Sequence, residues 1–199
     1  MSATPGTPAT AGETSATALP RGVTLWPLQP HRDERGSFAE LYRQNWATGI
    51  EPRQWGLLAT EANVLRGMHV HPRHDEFIAV TAGRLFVALK DLRPRSPSYL
   101  QAAPLLLTGE TPALLTLPRG VAHGFYAHTA CSVLIAATAY YDPTDDLGCL
   151  WSDPDLGIDW PCRDPQLSAR DRDAPPLASL VAAVARADPG LEPGVADGR

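Results

Sequence analysis

An all-β fold, an antiparallel sandwich or barrel with one short C-terminal helix, is predicted from three observations on this 199-residue sequence. From Val23 to Tyr141 the chain is a succession of short apolar or alternating runs broken by Gly, Pro, Asp and Asn, the pattern of many short strands at close spacing. Its 20 prolines are spread along the whole length, which suits a loop-rich β architecture where Pro is kept to edges and turns. A helical pattern stands out only near the end, over Leu177 to Ala187, where Leu180, Val181 and Val184 share a face after Pro175 and Pro176.

Taken in order, residues 1–21 are dominated by Ala, Thr, Pro, Ser and Gly. Such a segment has too little apolar surface to offset the entropy of ordering it, and a disordered tail is expected. The runs Phe38 to Tyr42, Glu76 to Thr81, Leu85 to Leu89, Ala113 to Leu117 and Ser132 to Tyr140 read as strands of one domain over residues 22–176. The helix then covers 177–187 and a second tail 188–199. An apolar content of 44% is enough for a core of ordinary size in a single domain.

Charge and cysteine usage exclude several classes. A formal net charge of -5 without a Lys or Arg run gives no footprint for nucleic acid or an anionic membrane. No apolar stretch is long enough to span a bilayer, and the N-terminus lacks a basic region followed by an apolar one, so the chain reads as cytoplasmic. Cys131, Cys149 and Cys162 are odd in number and not closely paired, which argues against a disulfide framework or a cysteine metal site and leaves them as incidental thiols.

The chemistry concentrates in Val64-Leu65-Arg66-Gly67-Met68-His69-Val70-His71, with Glu76 and Gly83, and in Pro118-Arg119-Gly120-Val121-Ala122-His123. On a strand, alternate residues share a face, so His69 and His71 are expected to project together into the barrel. Glu76, opening the next strand, and His123, after a Pro-x-Gly turn, complete a predicted ligand set of His69, His71, Glu76 and His123. Three imidazoles and a carboxylate suit a divalent transition ion, Fe, Mn, Ni, Co, Zn or Cu, and donor type does not choose among them. The spacing resembles the two signature motifs of the cupin superfamily, which implies a jelly-roll barrel. His31, His74 and His128 have no such companions and read as surface residues, with His74 a reserve candidate at the site mouth.

A second resemblance covers more of the chain. Asp33-Glu34-Arg35-Gly36-Ser37-Phe38-Ala39-Glu40, Val64 to His69, Asp91-Leu92-Arg93-x-x-Ser96-Pro97, Pro118-x-Gly120-x-Ala122-His123-Gly124-Phe125, Tyr140-Tyr141-x-Pro143, Trp151 to Pro161 and Leu167 to Asp171 occur in that order. Together they resemble the dTDP-4-dehydrorhamnose 3,5-epimerase family. The resemblance implies a cupin jelly roll, a homodimer, and action without metal on a dTDP-4-keto-6-deoxy sugar. It also implies that His69 is the base and Asp171 its orienting partner, with Arg35, Glu40, Gln54, Arg66, His123 and Arg170 on the nucleotide diphosphate or sugar. Arginine suits phosphate because its planar fork donates bidentately.

Two stretches depart from the family pattern. Aligned on Tyr140-Tyr141-x-Pro143, the family's catalytic tyrosine falls on Ile135 and a neighbouring lysine on Ala136. The loop after His71 is short, so the family's active-site lysine falls on Glu76, where a carboxylate would repel a developing enolate. Tyr141 becomes a candidate for the proton transfer that Ile135 cannot make. His69 therefore carries competing readings, as base and as metal ligand, because one lone pair serves one role. The leading function is epimerisation or isomerisation of a nucleotide-linked keto-sugar in deoxysugar or specialised-metabolite biosynthesis. The alternatives are a metal-dependent cupin dioxygenase, lyase or isomerase on another small molecule, and a non-catalytic sugar-nucleotide binder.

Overall fold

A computed structural model of the protein describes residues 18–187. Two five-stranded sheets pack face to face as a jelly-roll sandwich. The first holds, in spatial order, β1 (Thr24–Pro27), β9 (Ala113–Leu117), β6 (Glu76–Ala82), β11 (Cys131–Ala137) and β4 (Gln54–Thr60). The second holds β12 (Leu147–Gly148), β5 (Leu65–Val70), β10 (Val121–Ala127), β7 (Arg84–Asp91) and β8 (Ala102–Thr108). Every pairing between these strands is antiparallel. A separate hairpin is made by β2 (His31–Asp33) and β3 (Gly36–Phe38).

The sheets adhere because the alternating runs turn one set of residues inward. Ile78, Val80, Val87, Leu89, Leu115, Leu117, Phe125 and Val133 are all buried in one cluster between them. A second cluster lies where α2 (Leu177–Ala187) lays Leu177, Leu180 and Val184 against Met68, Val70, Leu92 and Leu156. The helix has the bounds expected from its apolar spacing. A third cluster, around Trp26, Leu28, Phe77 and Leu114, is flanked by Leu41, Tyr42 and Trp46.

That third cluster accounts for one correction. The run Phe38 to Tyr42 is not a strand: β3 ends at Phe38, and Leu41 and Tyr42 pack as irregular chain on apolar side chains that include β9 and β6 residues. Their apolar character reflects packing rather than pairing. The run from Ser132 likewise leaves the sheet at Ala137, short of Tyr140. Most of the expected N-terminal tail and all of residues 188–199 lie outside the described residues. Of the tail's last residues, Leu19 packs on the inter-sheet core, and Arg21 accepts a hydrogen bond from Arg93 Nη2 at 2.6 Å, so ordered chain begins before residue 22. Among the described residues no helix is long and apolar enough to cross a membrane.

Gly83 is the single residue between β6 and β7, with φ +85°. A Cβ there would come 2.2 Å from the Ala130 carbonyl oxygen and 2.7 Å from Cys131 Sγ. Gly83→Ala is therefore expected to destabilise the fold by more than about 1 kcal/mol, through both backbone strain and overlap. Urea denaturation would measure this, and an unchanged midpoint would show that the turn relaxes freely.

Candidate active site

The site is built on β5 and β10, where a bulge changes the strand parity. In register, His69 faces His123 while Arg66 faces Phe125. Residues 123 and 125 share a face of β10, so Arg66 and His69 share a face of β5 despite their odd spacing. Gly148, beside His69 in register, permits the close approach: a Cβ there would meet the Met68 carbonyl oxygen at 2.9 Å.

His69 Nε2 lies 2.6 Å from Asp171 Oδ1. Asp171 sits on the single helical turn α1 (Ala169–Arg172), whose N-cap Ser168 donates from Oγ to Asp171 Oδ2 at 2.9 Å and accepts from the Asp171 backbone N–H at 3.1 Å. Burial alone would raise the Asp171 carboxyl, but the hydrogen bond and charge of His69, the Ser168 hydroxyl and Arg170 outweigh it and hold the group below the usual carboxylate range. An ionised Asp171 fixes the imidazole with its proton on Nε2, leaving Nδ1 as the basic atom. This is the geometry of an oriented general base.

A second group gathers beside it. His71 Nε2 is 3.7 Å from Glu76 Oε1, His123 Nε2 is 3.3 Å from Glu76 Oε2, and His74 Nε2 is 3.8 Å from Glu76 Oε1. The His71 and His74 rings stack with centroids 4.3 Å apart. His71 Nδ1 lies 3.1 Å from the Asp145 carbonyl oxygen, and His74 Nδ1 lies 2.7 Å from Asp145 Oδ2. Burial pushes His123 down to about 4 against the opposing pull of Glu76. Burial would raise Glu76, yet His123, His74 and His71 outweigh that and hold it down to about 2. Burial likewise lowers His74, but Glu76 and Asp145 win and its affinity for a proton rises.

The expected four-ligand set is thus only partly assembled. His71, Glu76 and His123 bring ligand atoms within 4.8 Å of one another; His69 is not in that group, and its Nε2 pairs with Asp171. β5 ends at Val70, and His71 lies just beyond it, with its ring 5.5 Å from that of His123, the residue that His69 opposes in register. His74 is a correction: it is buried, 7% exposed, and not a surface residue. Its partner Asp145, in the turn after Asp142-Pro143-Thr144, was not singled out in the sequence and is also buried. His31 and His128 are exposed, as expected.

A cavity of about 250 Å³ opens beside this group, lined by His71, His74 and Glu76 together with Gln54, Ile135 and Tyr141. Gln54 Oε1 accepts from the Tyr141 backbone N–H at 2.9 Å. The aliphatic Ile135 side chain thus occupies a wall where a tyrosine was expected from the family pattern. Arg170 is engaged by Asp146, at 2.5 Å from Oδ2 and 2.8 Å from the carbonyl oxygen. Arg35 and Glu40 are not brought here: Arg35 pairs with Asp33 on the exposed hairpin, and Glu40 pairs with Arg43. Cys131, Cys149 and Cys162 are free thiols, and burial pushes Cys149 up to about 12, which leaves it inert.

The sequence profile of the dTDP-4-dehydrorhamnose 3,5-epimerase family matches residues 17–179. The chain belongs to this family. It is 33% identical over 171 residues to the dTDP-4-dehydrorhamnose 3,5-epimerase of Salmonella typhimurium, covering 81% of this chain and 93% of that protein. Among solved structures, the Legionella pneumophila epimerase in complex with dTDP-4-keto-L-rhamnose superposes with a TM-score of 0.77 at 30% identity, over 84% of this chain and 94% of that one. A 4-keto-6-deoxy sugar epimerase from the novobiocin biosynthetic gene cluster of Streptomyces spheroides gives 0.76 at 30% identity, over 96% and 97%.

Proposed function

We propose that this chain is an epimerase or isomerase of a dTDP-linked 4-keto-6-deoxyhexose in deoxysugar biosynthesis, acting by removal and return of a proton beside the ketone. The observation that carries this reading is the 2.6 Å His69 to Asp171 pair, with Arg66 on the same strand face, in a chain of this family. His69 Nδ1 takes the proton on carbon, and Asp171 stabilises the imidazolium that forms. Tyr141, among the residues lining the cavity, is the phenol that returns a proton from another side. Arg66 and Arg170 supply guanidinium for the diphosphate, while Gln54 and His123 bound the sugar.

Arg35 and Glu40 pair elsewhere and do not line this cavity, which supports a homodimer in which the exposed hairpin of one copy reaches the substrate of the other. Phe38 is 65% exposed on that hairpin, and the edge strand β4 shows Trp55 and Leu57 at 46% and 71%, apolar surface that a second copy would cover. A cytoplasmic setting fits a nucleotide-sugar substrate. The His69 base itself requires no cofactor. A second reading, a metal-dependent cupin enzyme, rests on the grouping of His71, Glu76 and His123.

The test is proton NMR of dTDP-4-keto-6-deoxyglucose in heavy water with the purified chain. Enzyme-dependent loss of signal at a carbon adjoining the ketone is expected. Undiminished signals under conditions where the same sample binds dTDP would leave a sugar-nucleotide binder and remove the epimerase.

A further inference from the structure

The imidazole cluster around Glu76 is not used by the His69 base, and its geometry has a specific chemical meaning. Glu76 is buried, and its carboxylate stands between His123 Nε2 at 3.3 Å and His71 Nε2 at 3.7 Å. Both separations exceed those of good hydrogen bonds. They are close to what a shared ion would require, since ligand bonds of about 2.0–2.2 Å in a tetrahedral site set donors roughly 3.4 Å apart.

The surroundings orient one of these donors, His71. His71 Nδ1 faces the Asp145 carbonyl oxygen at 3.1 Å, so that nitrogen carries the proton and Nε2 presents its lone pair toward Glu76. Metal-binding histidines are held in this way by a second hydrogen bond to a carbonyl or carboxylate. Asp145 also fixes His74 through its side chain at 2.7 Å, and His74 stacks on His71 at 4.3 Å, which sets the plane of the ligand ring. Finally, the lining of the adjoining cavity includes no Lys or Arg among the described residues. An enolate formed there would lack a cationic side chain on that wall.

We infer that His71 Nε2, His123 Nε2 and the Glu76 carboxylate form a two-histidine, one-carboxylate site for a divalent first-row transition ion, separate from the His69 to Asp171 pair. Such a donor set leaves coordination positions open, and here they face the cavity lined by Gln54, Ile135 and Tyr141. The ion's assistance to a ketone or enolate oxygen rests on the epimerase reading, whereas its binding does not.

The experiment titrates the chelator-stripped full chain with Co(II), followed by visible absorption, and measures metal retained after gel filtration by inductively coupled plasma mass spectrometry. One ion per chain is expected, with loss of at least tenfold in affinity for His71→Gln, His123→Gln and Glu76→Gln. The His69→Asn variant is expected to retain the ion, while losing proton exchange in the NMR assay, which separates failure of one proposal from failure of the other. Absence of binding in the wild-type chain overturns the site. Equal loss in His69→Asn overturns the separation of the two groups. X-ray absorption on the Zn(II)-loaded wild-type chain counts ligands independently of how the variants fold: two imidazoles are expected, and none or three would contradict the assignment.

Discussion

His69→Asn is expected to lower the rate of substrate proton exchange by about 10²–10⁴-fold, the contribution of a positioned general base. Asparagine approximates the shape of part of the imidazole and offers a donor to Asp171, so the fold is retained while the basic atom is removed. The substitution isolates the base because Asp171 keeps its other support, the Ser168 hydroxyl at 2.9 Å. Deuterium incorporation beside the ketone, followed by NMR under single-turnover conditions, reads the chemical step directly. Affinity for dTDP should stay within a few-fold, since His69 acts at the sugar and not at the pyrophosphate. A variant that exchanges protons within tenfold of the wild type would transfer the base role to another group, with the His74 imidazole, 2.7 Å from Asp145, the nearest candidate of similar design. Asp171→Asn should act in the same direction, because an amide in place of the carboxylate no longer favours the tautomer with its proton on Nε2.

The fold was legible because its signals are local. The near-continuous apolar runs Glu76 to Thr81 and Ala113 to Leu117 report strands buried on both faces, the helical spacing of Leu180 and Val184 reports one buried face of a helix, and the structure places them in β6, β9 and α2. Phe38 to Tyr42 carries the same apolar signal for another reason, packing on the cluster of Trp26 and Phe77 without pairing. The site was legible as a set of residues but not as a geometry. His69 and Asp171 meet across 102 positions of sequence, and their pairing came from resemblance to a family rather than from spacing. His74 was misread because its burial depends on Asp145, 71 positions away, and no local pattern announces such a partner. The placing of Arg66 beside His69 also hangs on one register detail, the bulge that restores them to a common face.

A fully buried ion pair away from the site should weigh heavily in the stability of the fold. Asp91 and Arg93 side chains are both 0% exposed. Asp91 Oδ1 accepts from Arg93 Nε at 2.8 Å, and Oδ2 accepts from Arg93 Nη2 at 2.7 Å and from the Ser96 and Ser98 hydroxyls at 2.6 Å each. Arg93 Nη2 also reaches the Arg21 carbonyl oxygen, tying the segment before β1 to the end of β7. Asp91→Ala would leave the guanidinium buried without a counter-charge, and a loss of about 3–5 kcal/mol is expected. The double variant Asp91→Ala with Arg93→Met should be less destabilised than the single one, because it removes the stranded charge as well. The pH dependence has a definite sign. Burial raises the Asp91 carboxyl, but Arg93, Ser96 and Ser98 outweigh it and hold it below its ordinary value. Its stabilisation is therefore complete above the unfolded-state carboxyl pKa and is lost as pH falls through the lower folded value. Urea denaturation of the wild type and both variants, at neutral pH and in the acid range, measures this: the gap between wild type and Asp91→Ala should narrow in acid. A single variant within about 1 kcal/mol of the wild type at pH 7 would mean that water or a shifted Arg93 satisfies the guanidinium, and that the network positions the loop without holding the fold.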